Sequence, residues 1–137
     1  MSGLVEILYP LPDRRRTPLS TIRWWESRRL VFNQVLGATG LVSLIGMVFF
    51  AALPPNSVYV SLEVLVGAAF YGALANVCYT LGWMIELLAR LMWGRNAPNL
   101  GPLLFRQGTI FAVGLTFLPM LLSVIFWIVS VIGWILP

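Results

Sequence analysis

The chain has no histidine, no lysine and a single cysteine, and only 10% of its 137 residues are charged. Without histidine it lacks the commonest metal ligand and the side chain that ordinarily titrates near neutral pH. With Cys78 alone, an intrachain disulfide or a thiolate metal cluster is impossible, and within its apolar run Cys78 reads as a small packing residue. No metal and no cofactor are therefore expected. The scarcity of charge excludes more. A soluble domain is typically about a quarter charged and about 45 to 50% apolar, whereas 59% of this chain is hydrophobic and its mean hydropathy is +0.88. A soluble core of this size cannot hide so much apolar surface. A bilayer accepts it as solvent and needs roughly 20 apolar residues per helical crossing. The alternating ten-residue segments of a membrane β-barrel are absent, so the fold class expected is an all-α membrane protein.

What charge there is lies unevenly. All nine basic residues are arginine, against five acids, for a net charge of +4. Six of them (Arg14, Arg15, Arg16, Arg23, Arg28 and Arg29) precede the first long apolar run, where positive charge sets topology and meets anionic lipid. Nucleic acid is not expected as a partner, because little folded soluble surface remains to read it.

Residues 1–29 read as a cytoplasmic arm leading into an interfacial amphipathic helix, and residues 30–137 as a three-helix transmembrane domain. Thr17-Pro18 marks a helix start, an N-cap followed by proline where its missing N–H costs nothing. Trp24 and Trp25 among Arg23, Arg28 and Arg29 have the composition of a lipid-headgroup anchor, and Glu26 is spaced to pair with Arg23 or Arg29. Spans are expected at about 30–53, 62–89 and 108–136. The first is far longer than the roughly 7 to 15 apolar residues of a cleaved signal. In the second, Glu63 and Glu86 stand far enough apart to reach opposite interfaces. In the third, Pro119 frees the carbonyl of Leu115, with Thr116 placed to compensate.

The Arg-bearing segments alternate: six before the first span, none between the first and second, and Arg90, Arg95 and Arg106 between the second and third. The positive-inside rule then puts the N-terminus in the cytoplasm and the C-terminus outside.

The stretch Arg23-Trp24-Trp25-Glu26-Ser27-Arg28-Arg29-Leu30, followed by Asn33, resembles the start of small uncharacterised bacterial multi-pass inner-membrane proteins. Ala75-Asn76-Val77-Cys78-Tyr79-Thr80-Leu81-Gly82-Trp83, with Glu86, is similar to their second helix. The resemblance implies a bacterial inner membrane and carries no activity.

Two patterns on the second span are candidates for a site. Asn76, Tyr79, Thr80, Glu86 and Arg90 read either as a polar track or as interhelical hydrogen-bonders with an interfacial Glu86–Arg90 pair. The structural reading is preferred, since a transport path needs polar groups on several helices. Ala68, Gly72, Asn76 and Thr80 recur every four residues and read as a small-residue groove for close helix approach, so that enlarging Gly72 should push a facing backbone away. The third span repeats it as Gly108, Ala112 and Thr116.

No nucleophile stands with a base, so an enzyme is not expected. The expected function is a structural or accessory membrane subunit, working through helix packing and contact with anionic lipid as a homo-oligomer or part of a larger complex. A small transporter or channel subunit working as an oligomer is the alternative.

Overall fold

The computed structural model describes residues 17–57, 61–94 and 97–136. They form three helices, α1 (Pro18–Ala52), α2 (Leu62–Trp93) and α3 (Gly101–Ile135), with no strand among the described residues. At 1.5 Å per residue, helices of 35, 32 and 35 residues are about 52, 48 and 52 Å long, against a hydrocarbon layer of about 30 Å. Each is long and apolar enough to cross a membrane. In their most apolar stretches only 11%, 6% and 6% of residues are buried within the chain. So much outward-facing apolar surface is intolerable in water and ordinary in lipid. This is the make-up of a multi-pass membrane protein.

The helix ends follow local chemistry. The Thr17 hydroxyl accepts the N–H of Ser20 at 3.3 Å, and its carbonyl accepts that of Thr21 at 3.0 Å, which caps α1. Nothing between Leu19 and Leu53 is a proline, so α1 runs unbroken through Trp24, Arg28 and Arg29 into the apolar run. Of an N-terminal interfacial helix, expected continuous with or bent from the first span, the part from Pro18 is continuous with it; residues 1–16, with Arg14, Arg15 and Arg16, lie outside the described residues. Helix α2 ends at Gly94, whose φ of 56° is the left-handed conformation of a helix stop. Helix α3 starts at Gly101, seven residues before the expected span. Pro102 sits in its first turn, where no intrahelical donor is needed, and the Leu104 N–H reaches the Leu100 carbonyl at 2.8 Å.

By contacts the chain divides into two units, Met1–Asn33 with Leu74–Phe111, and Gln34–Ala73 with Ala112–Pro137. In the second unit the Tyr71 hydroxyl donates to the Ala112 carbonyl at 2.7 Å, and the Thr116 hydroxyl reaches the same carbonyl at 2.7 Å. Thr116 thus serves Ala112 and not Leu115, the carbonyl that Pro119 leaves free. Ser123 donates to the Met47 carbonyl at 3.1 Å and the Trp127 indole to that of Pro54 at 3.0 Å, so α3 is tied to α1 and α2 here chiefly through main-chain acceptors.

Candidate functional site

The polar chemistry of the first unit gathers around Trp25, Tyr79 and Glu86. On α2 the residues Ala75, Tyr79, Gly82, Glu86 and Ala89 alternate intervals of four and three, which keeps one line of a helix facing its neighbours. Four of the five are buried, and the Cβ that an alanine would add at Gly82 falls 2.9 Å from the Trp25 ring. Glycine is required there because the indole lies on the α2 backbone.

Trp25 is 2% exposed and Glu86 0%. The indole N–H donates to Glu86 Oε2 at 2.8 Å, while Arg90 donates to Oε1 at 2.8 Å. Both carboxylate oxygens are thus occupied by donors, one from α1 and one from α2. The third helix closes on the same group. A Cβ at Gly101, the first residue of α3, would lie 2.5 Å from Glu86 Oε2. A carboxylate beside a helix N-terminus complements its unpaired N–H groups and its dipole, so Glu86 joins all three helices. Aromatic edges surround it: Trp25 meets Tyr79 and Phe105 edge-to-face at centroid distances of 5.2 and 6.1 Å, and Trp24 meets Trp25 at 5.5 Å. The Tyr79 hydroxyl donates to the Trp25 carbonyl at 2.5 Å.

The expected Glu86–Arg90 pair is formed at 2.8 Å, with the Glu86 carboxylate buried inside the chain, because α1 and α3 both pack over the α2 line that carries it. Trp25 was read as a headgroup anchor, but it faces inward, seven residues before the equally buried Phe32 on the same line of α1. Trp24 is half-buried with the Arg28 guanidinium 4.0 Å over its ring, and Arg23 is exposed.

A second set of groups runs along α1 and α2 toward Asn33. Glu26 takes a two-pronged pair from Arg29 at 2.8 Å on each prong. Arg29, not Arg23, makes this pair, and it also reaches across to Thr80 at 3.1 Å and lies 5.0 Å over the Tyr79 ring. Asn76 donates its amide to the Asn33 carbonyl oxygen at 2.9 Å, and Thr80 donates to the Asn76 backbone carbonyl at 3.0 Å. Asn33 itself is exposed.

Of the small-residue groove, Asn76 and Thr80 bond to α1. Ala68 is exposed, and a Cβ at Gly72 would meet nothing within 4 Å. Within the chain the close approaches occur at Gly82, Gly101 and Gly46, none of which belongs to that groove. Among the described residues no group of three or more cysteine, aspartate or glutamate side chains is placed to hold a metal.

Comparison with known protein families, with curated proteins and with solved structures gives no match.

Proposed function

We propose that this chain is a structural or accessory subunit of a membrane assembly, acting through helix packing and contact with anionic lipid. The supporting observation is the use to which its polar groups are put. Glu86, Trp25, Tyr79, Arg29, Thr80, Asn76 and Asn33 bond chiefly to one another across helices, which orders a scaffold. The exposed Arg23, together with the cluster at Arg14, Arg15 and Arg16, supplies positive charge for lipid phosphates, each such residue contributing about 1 kcal/mol near an anionic surface. By the arginine count the arm is cytoplasmic, and the resemblance noted above points to a bacterial inner membrane.

A transporter or channel subunit is the second reading, favoured by the succession Glu26, Arg29, Thr80, Asn76 and Asn33 along two helices. Purification of the tagged chain from its native membrane, paired with ion and small-solute flux across vesicles carrying the pure protein, separates the two. The accessory reading expects partners or copies that co-purify in fixed ratio and vesicles no leakier than empty ones. Solute flux that rises with protein content would overturn it.

A further inference from the structure

We propose that the lipid leaflet at the arginine-bearing end slopes around the first unit: phosphate headgroups and water descend along α1 and α3 to the level of Asn33, while hydrocarbon rises along α2 as far as Arg90. The inference rests on the reading that the protein works in contact with lipid, and it names the surface that makes that contact.

The two sides of the unit can be compared at equal depth, because three contacts fix the register of α1 against α2. Trp25 meets Glu86, Arg29 meets Thr80, and Asn33 meets Asn76, so the helices run antiparallel and residues 25–33 lie beside residues 76–86. The exposed residues of α1 from 23 to 33 are Arg23, Glu26, Ser27, Leu30 and Asn33, four of the five polar. Those of α2 from 77 to 88 are Val77, Cys78, Leu81, Met84, Ile85 and Leu88. None is charged, since Glu86 is turned inward. Helix α3 sides with α1: Arg106 and Gln107 are exposed directly after Phe105, whose ring packs on Trp25.

A flat leaflet cannot suit both sides. Meeting the unit at the level of Arg29, it would leave the α2 face in water; meeting it at Arg90, it would sink Glu26, Ser27 and Asn33 into hydrocarbon, where charged and polar side chains are expensive. From Thr80, level with Arg29, to Arg90 is ten residues, about 15 Å of helix. An average helix tilt of about 20° across two neighbouring helices, together roughly 20 Å wide, offsets their outer faces by about 7 Å. Tilt therefore supplies half of the difference, and the leaflet supplies the rest. Charge identifies what fills the polar side. The ion pairs among the described residues use Arg29 and Arg90, so Arg23 and Arg106 keep their net charge. A second copy would bring the same two cations, whereas lipid phosphates neutralise them.

The test uses the full chain in bilayers of phosphatidylcholine with phosphatidylglycerol. Leu30 and Leu81, exposed at matched depth on α1 and α2, are each changed to cysteine in a Cys78→Ser background and spin-labelled. Relaxation by a water-soluble nickel chelate and by oxygen, which concentrates in hydrocarbon, then reports what surrounds each label. The Leu30→Cys label should favour the chelate over oxygen about tenfold more than the Leu81→Cys label, because a polar complex is excluded from hydrocarbon. Equal ratios at the two sites would overturn the proposal, whether both read hydrocarbon or both read water. So would a Leu30→Cys label shielded from both reagents, the mark of a protein partner on this face. Changing Glu26, Ser27 and Asn33 together to leucine should bring the Leu30→Cys ratio down to that of Leu81→Cys. Ser27→Leu alone, at a hydroxyl bonded only within its own helix, should move it part of the way. Ratios unmoved by either change would show that these side chains do not hold the headgroups, and the proposal would fall. Each of these failures leaves the accessory reading in place. Solute flux that rises with protein content overturns that reading and leaves the slope of the leaflet untouched.

Discussion

Glu86 is the residue on which the first unit depends most, because it is fully buried and holds donors from two helices against the start of a third. Removing one partner of a buried, hydrogen-bonded charge costs about 3 to 5 kcal/mol. Glu86→Ala, which strands both the Trp25 indole N–H and the Arg90 guanidinium, should therefore lower stability by about that amount in detergent unfolding. Trp25→Phe removes one donor and leaves Arg90 in place, so its expected cost is about 1 to 3 kcal/mol. The two changes should couple in a double-mutant cycle. Purely additive losses would mean that the 2.8 Å contact carries no energy. The Glu26–Arg29 pair is similar in distance but differs in burial, with side chains 45% and 27% exposed. Screening holds such pairs to about 0 to 1 kcal/mol, so Glu26→Gln should scarcely alter the same measurement.

At the scale of the helix, the glycines separate close contacts from open surface. An added methyl at Gly82 meets the rigid Trp25 ring, and at Gly101 it meets a carboxylate held by two donors. Overpacking of this kind costs about 1 to 3 kcal/mol. Gly46 is different in kind: its added Cβ would run into the thioether of Met120, an unbranched side chain that can turn aside. Gly82→Ala and Gly101→Ala should therefore destabilise, Gly46→Ala should be nearly neutral, and Gly72→Leu should leave monomer stability unchanged. If Gly72→Leu is as damaging as Gly82→Ala, the packing described here is wrong. The groove from Ala68 to Thr80 does not follow a single line of the helix. Four residues turn a helix about 40° beyond a full circle, so three such steps drift about 120° around the cylinder, and Ala68 and Thr80 cannot share a face. The alternating four and three of Ala75, Tyr79, Gly82, Glu86 and Ala89 stays on one line, a spacing that the reading by fours passes over. Its conspicuous feature is a glutamate on an otherwise small or aromatic stripe.

For the molecule as a whole, the arginine count of six, none and three sets the expected topology. Single-cysteine labelling in a Cys78→Ser background should find Asn56→Cys reactive from outside intact cells and Ala97→Cys reactive only after the membrane is opened. The reverse pattern would invert the topology. The all-helical character and the number of apolar helices were legible because they depend on composition summed over some twenty neighbouring residues, a local quantity to which the bilayer responds directly. The start of α1 at Thr17-Pro18 belongs to the same class, since a cap acts within a turn or two. What only the tertiary structure decided is which side of each helix turns inward. Trp25, which as sequence looks like an interfacial tryptophan, is buried because α2 offers it Gly82 as a floor and Glu86 as an acceptor 61 residues away. Hydropathy could not find that contact, because tryptophan and glutamate beside arginine are equally suited to the headgroup layer. The choice between lipid and protein was made by complementarity between distant segments.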